Sequence, residues 1–157
     1  MEIGIVGQGF VGNAVFEGLK KHYNIETYDI AKSSTCESIE ELSIKSDVIF
    51  VCLPTPMKED GACYLGILEE VLSDLDYINR CKIIVIKSTI PPGSTQRFNE
   101  IYKNIDIVFN PEFLTEANSV EDYKAQNRII IGGPRPATTQ VKRIFDKAFP
   151  KVPIIKT

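Results

Sequence analysis

The sequence has a single histidine, His22, and four scattered cysteines, Cys36, Cys52, Cys63 and Cys81, with no Cys-x-x-Cys pair. A metal site is not expected from so few ligands so placed, and the thiols are expected to be reduced. A Ser-His-Asp hydrolase would have to use His22, and no nucleophile elbow accompanies it. His22 falls near the end of a helical pattern, where a cation favours the dipole, so it reads as structural or solvated. A basic excess is also missing: 18 Lys and Arg stand against 21 Asp and Glu, a net charge of −3. Nothing therefore points to nucleic acid or an anionic membrane surface as a partner. No apolar stretch approaches membrane-spanning length, and the first residues already read as a strand, so an unprocessed cytoplasmic protein is expected. Repeats, low-complexity tracts and long linkers are absent. The 157 residues suffice for one domain with its own core.

What is present begins at once. A short apolar run, Ile3 to Val6, meets Gly7-x-Gly9-x-x-Gly12, and Val11, Ala14, Val15, Gly18 and Leu19 then recur at helical spacing. A strand turning tightly into a helix is expected, with Gly7 allowing the turn, Gly9 admitting a pyrophosphate to the backbone and Gly12 bringing helix and strand close. The unpaired N–H groups opening that helix then face the phosphates. Glycine triplets also occur in ordinary loops, but Asp29 closes the next apolar stretch, Asn24 to Tyr28, about 20 residues on, where a ribose-binding acid belongs. A carboxylate there accepts hydrogen bonds from ribose hydroxyls and repels a 2′-phosphate, which favours NAD over NADP.

Further along, Val48 to Leu53 and Cys81 to Ile86 are continuous apolar runs, the pattern of strands buried on both faces of a parallel sheet. Ser38 to Ile44, the stretch from Tyr64 to Leu75, the stretch from Phe98 to Tyr102, and Ala137 to Ala148 read as helices. Ile105 to Phe109, Arg128 to Ile131 and Val152 to Ile155 read as strands. The alternation predicts a doubly wound α/β domain of Rossmann type, with a mainly parallel sheet and helices on both faces. Such sheets bind ligands beyond the carboxyl ends of their strands. Pro54-Thr55-Pro56, Ser88-Thr89-Ile90-Pro91 and the stretch from Asn110 to Glu116 all fall there. Prolines as mere strand terminators do not explain why Thr55, Thr89, Glu112 and Glu116 gather on one edge.

With these motifs the chain resembles the NAD-binding domain of the UDP-glucose/GDP-mannose dehydrogenase family, over its whole length. The most specific pieces are Pro54-Thr55-Pro56, Lys87-Ser-Thr-Ile-Pro-Pro-Gly-Ser-Thr95, the stretch Asn110 to Asp122, and Asn127-Arg-Ile-Ile-Ile-Gly-Gly133. The Thr115-Glu116-Ala117-Asn118 form is most similar to bacterial UDP-glucose 6-dehydrogenase-like members. The resemblance implies oxidation of a nucleotide sugar's C6 alcohol to a carboxylate with two NAD, through a cysteine thioester that water hydrolyses. It implies that Thr89 and Glu116 place the water and the nicotinamide end, that Glu112 lies near the sugar, and that Phe113 and Leu114 offer backbone contacts to the sugar nucleotide. Thr55 would touch the cofactor, Phe10 and Val11 would lie beside its pyrophosphate, and Asp29 would hold its adenosine ribose. On a plainer reading, Glu112 and Glu116 charge the first turn of a helix and Thr89 ends a strand.

The family's central helix, and the second domain that carries its catalytic cysteine, are not matched in these 157 residues. Cys52 sits in a buried run, Cys63 has no neighbouring base, and Cys36 and Cys81 stand at element starts, so none is expected to replace that cysteine. Three readings remain. The chain is the NAD-binding half of a nucleotide-sugar dehydrogenase, inactive without the missing C-terminal half or a full-length relative. Or it is an NAD-binding or regulatory module without turnover. Or it is a self-sufficient one-hydride oxidoreductase, which the open side of a single small domain disfavours.

Overall fold

The computed structural model describes residues 1–157. Strands and helices alternate as β1 (Glu2–Val6), α1 (Phe10–Leu19), β2 (Asn24–Tyr28), α2 (Ile39–Lys45), β3 (Val48–Val51), α3 (Gly66–Ile78) and β4 (Ile83–Ile86). Then come α4 (Ser94–Ile101), β5 (Asp106–Phe109), α5 (Ser119–Lys124), β6 (Ile129–Ile131), α6 (Ala137–Ala148) and β7 (Ile154–Lys156). Five strands form a wholly parallel sheet in the order β2–β1–β3–β4–β5, with Ile3 opposite Ile25 on one side and Val48 on the other. The apolar runs dictate this, because a strand apolar at every position must be covered on both faces. Val48 and Phe50 of β3 pack with α1, α5 and α6, while Ile49 and Val51 pack with α2, α3 and α4. The fold is the doubly wound α/β arrangement read from the sequence.

Some boundaries differ from the sequence reading. Cys81 precedes β4 rather than opening it, and its backbone N–H donates to the Ser43 hydroxyl at 3.0 Å instead of to a neighbouring strand. Strands β6 and β7 pair in parallel as a separate ribbon. That ribbon joins β5 through one antiparallel bridge, in which Phe109 and Gly132 exchange N–H to carbonyl bonds of 2.7 and 2.9 Å. The short helix α5 has no apolar period to announce it. Its Tyr123 is nevertheless one of the largest fully buried side chains.

Two features place the site. From β1 the chain crosses to β2 on one side, then returns through α2 to β3 on the other, so the topological switch lies between β1 and β3. And α1 packs closely on α5: a Cβ at Gly18 would collide with the edge of the Tyr123 ring. Gly18→Ala is therefore expected to destabilise the fold by about 1–3 kcal/mol through overpacking, although alanine is the better helix former. Urea unfolding checks this, and a variant as stable as the parent would mean that α5 gives way freely.

Candidate functional site

The turn between β1 and α1 is built from side-chain absences. Gly7 has φ +91°, and a Cβ there would meet the Cys52 carbonyl. Its N–H donates to the Tyr28 carbonyl at 2.9 Å, which ties the end of β1 to the end of β2. A Cβ on Gly12 would collide with the Gly7 carbonyl, so α1 can lie this close to β1 only with glycine at that position. Gly9 caps α1 in an extended conformation without a side-chain bond, and the space beside it is open. The backbone N–H groups of Gly9, Phe10, Val11 and Gly12 consequently donate to no protein acceptor. Four unpaired donors at one helix start match the needs of a pyrophosphate.

Asp29 stands just past β2 and is half-buried. Its Oδ2 accepts the Gln8 N–H at 2.6 Å, and its Oδ1 accepts those of Ala31 and Lys32 at 2.8 and 3.0 Å. Desolvation works to raise its carboxyl, but the three N–H donors and the Lys32 charge outweigh it and hold the group below the usual carboxylate range. Asp29 thus braces the glycine turn from the end of β2.

A cleft of about 400 Å³ opens at the carboxyl ends of β1, β3 and β4. Gly9, Phe10, Val11, Thr55, Thr89 and Glu112 line it, together with Cys52, Lys87 and Ser88. Side chains hold its walls: the Thr55 hydroxyl donates to the Thr89 carbonyl at 2.7 Å, and the Ser88 hydroxyl accepts the Leu53 N–H at 3.1 Å. A second cleft of about 360 Å³ adjoins it and holds Glu112, Phe113 and Leu114, with Glu112 and Lys87 shared between the two. Glu112 accepts the Leu114 N–H at 2.7 Å, and the Arg128 guanidinium lies 4.5 Å from the centre of the Phe113 ring.

Glu116 lines neither cleft; it is exposed in the loop before α5. Helix α5 begins at Ser119, with Glu121 and Asp122 as its first-turn acids, so neither Glu112 nor Glu116 serves as a helix-start charge. Asn110 and the buried Lys87 are polar residues of this region to which the sequence reading gave no role. A lysine two positions beyond Val85, on the same face of an apolar strand, was the signal available for it.

Three of the four thiols are poorly suited to attack. Burial pushes Cys52 up to about 12 and Cys81 up to about 11, and it raises Cys36 as well. The Cys63 thiol lies 3.8 Å from the carbonyl oxygens of both Thr55 and Thr89. No three His, Cys, Asp or Glu side chains come together to hold a metal ion, and no helix is long and apolar enough to cross a membrane.

A parallel sheet with a glycine turn, an acid after β2 and a cleft at the switch point defines a dinucleotide-binding domain of Rossmann type. Residues 17–149 match the UDP-glucose/GDP-mannose dehydrogenase family, NAD binding domain, so the chain belongs to that family and its cofactor is NAD. It is 38% identical over 123 residues to an uncharacterized protein of Methanocaldococcus jannaschii, a stretch covering 73% of this chain and 12% of that one. It is 37% identical over 98 residues to the UDP-glucose 6-dehydrogenase of Rickettsia bellii, covering 59% of this chain and 22% of that one. In fold it is similar to the GDP-mannose dehydrogenase of Pseudomonas aeruginosa, with a TM-score of 0.86, 22% identity, and coverage of 100% of this chain and 46% of that one. A UDP-glucose dehydrogenase from Pyrobaculum islandicum gives the same TM-score and identity, again over 46% of its length. The chain thus spans less than half the length of these relatives.

Asp29 makes the turn sensitive to acid. Its carboxyl, lowered from about 3.9, contributes stability that is complete above that value and is lost as pH falls through the lower folded value. As pH falls below about 4, the unmodified chain is expected to lose urea stability more steeply than Asp29→Asn. Parallel losses would mean that the three N–H bonds do not act on its charge.

Proposed function

We propose that this chain holds NAD across the β1–β3 switch point as the cofactor half of a nucleotide-sugar dehydrogenase. The observation that carries the reading is the run of unpaired N–H groups from Gly9 to Gly12, of which Gly9, Phe10 and Val11 line the cleft shared with Thr55, Thr89 and Glu112. On this reading the pyrophosphate lies on Gly7, Gly9 and Gly12 beside Phe10 and Val11, and Asp29 takes the adenosine ribose. The nicotinamide end, which accepts the hydride when NAD is bound, extends past Thr55 toward Thr89. Glu112, Phe113 and Leu114 face a UDP- or GDP-sugar from the adjoining cleft. A carboxylate such as Glu112 suits the handling of a proton or a water there. Glu116 joins this group only if the loop from Thr115 to Asn118 moves when ligands arrive.

Residues 1–157 form one NAD-binding domain on this reading, and the covalent step of a two-hydride oxidation belongs to a thiol elsewhere. Burial keeps the Cys36, Cys52 and Cys81 thiols protonated, the Cys63 thiol faces the Thr55 and Thr89 carbonyl oxygens rather than a base, and a nucleophilic cysteine must ionise. The same observation favours a second reading, an NAD-binding module without turnover.

Calorimetric titration with NAD, alone and then with UDP-glucose and the C-terminal half of a related enzyme, separates the two. Binding with NADH formed only in the complete mixture is the expected outcome. Binding without NADH in either would favour the module, and no binding would end both readings. Asp29→Ala is expected to weaken NAD binding about tenfold and to narrow the preference over NADP. Unchanged selectivity between the two cofactors would remove the ribose assignment.

A further inference from the structure

Lys87 is the polar residue of the cleft that neither the phosphate turn nor the carboxylates account for. It follows β4 on the face of Ile83 and Val85 and is only 2% exposed. Its Nζ donates to Asn110 Oδ1 at 2.8 Å, and Asn110 Nδ2 donates in turn to the Ile130 carbonyl at 2.7 Å. An ammonium has three donors, and the protein supplies an acceptor for one. The Tyr123 ring lies below, its centre 5.5 Å from Nζ, with its own hydroxyl enclosed and unpartnered. The titratable groups around Lys87 are Cys52 after β3, Glu112 after β5 and Tyr123 on α5, whereas α1 and α6 bring only apolar side chains and Thr138 to the buried interior of this face.

Packing gives no reason for a cation here. A methionine of similar length would fill the space without the cost of desolvating a charge. What the lysine alone adds is a charge and donors at the wall between the two clefts, both of which it lines.

We propose that Lys87 is a positioning residue: its ammonium fixes Asn110 at the head of the loop, so that the segment from Pro111 to Leu114 keeps one place between the cofactor cleft and the adjoining cleft. The proposal rests on the reading of the cleft at the ends of β1, β3 and β4 as the NAD site. Burial lowers Lys87 to about 8, against the opposing pull of Cys52 and Glu112. Its charge is therefore lost at mildly alkaline pH, while the Cys52 and Tyr123 groups stay protonated.

The test follows the Leu114 methyl resonances and the NAD affinity from about pH 7 to 9.5, in the unmodified chain and in Lys87→Met, with melting temperature as the check on folding. In the unmodified chain the Leu114 methyls are expected to shift with a midpoint near 8 and NAD affinity to fall about tenfold over the same range. In Lys87→Met the methyl inflection should vanish and the affinity should stay at the lower level throughout. A variant that melts at or above the parent temperature with unchanged methyl profile and affinity would overturn the proposal, leaving Lys87 as filler. Were the variant to unfold, flat profiles in the unmodified chain would overturn it equally. If the unmodified chain takes no NAD, the cofactor reading fails, and the Leu114 profile still decides the role of Lys87.

Discussion

The contact on which the site depends is the approach of Gly12 to the Gly7 carbonyl. A single Cβ at position 12 would push α1 away from β1. The helix start would then leave the β1–β3 crevice and take with it the four N–H groups that no protein atom uses. Asp29 secures the same turn from the other side through the Gln8 N–H, and Gly7 does so through the Tyr28 carbonyl. Cofactor geometry and local stability are therefore one property here. A substitution that loosens the turn loosens the binding site with it, and variants of Asp29 carry both effects.

The second constraint is the apolar sheet. Strands β3 and β4 are buried on both faces from end to end, so the first polar side chains on this path stand just past their carboxyl ends. There the ladder stops, and backbone groups near it need new partners. Ser88 accepts the Leu53 N–H, Thr55 donates to the Thr89 carbonyl, and Asn110 donates to the Ile130 carbonyl. The polar rim of the cleft is in this sense the sheet's own termination, made of side chains that substitute for missing strands. That explains why Thr55, Thr89 and Glu112 meet although they lie far apart in the chain.

The layers were legible in the sequence because continuous apolar runs and helical periods admit little else, and the glycine turn with Asp29 was legible from spacing. What was not legible depended on contacts between distant elements. The burial of Lys87 needs Tyr123, which sits on a six-residue helix too short to show a period. A lysine after an apolar run otherwise reads as the point where a strand meets water. Glu112 and Glu116 look equivalent in one loop, yet only the first turns into the clefts, because Glu112 is held by the Leu114 N–H just beyond β5 while the chain near Glu116 is drawn away by the bonds of Thr115 to Asp122. The pairing of β6 with β7 and the single bridge to β5 followed from no local signal.

The electrostatics of the cleft also divide the chemistry. A site meant to form a thioester lowers the pKa of its thiol with a nearby cation or helix start. Here a cation is close to Cys52, and Lys87 does pull that thiol down, yet desolvation wins and leaves it near 12. The same burial brings Lys87 down to about 8, so both groups are pressed toward their neutral forms by one apolar surrounding. Charge persists where water and backbone donors reach, at Asp29 beside the turn. Such an environment leaves unpaired backbone donors at the start of α1 and keeps the buried Cys52 thiol and Lys87 ammonium pressed toward neutrality.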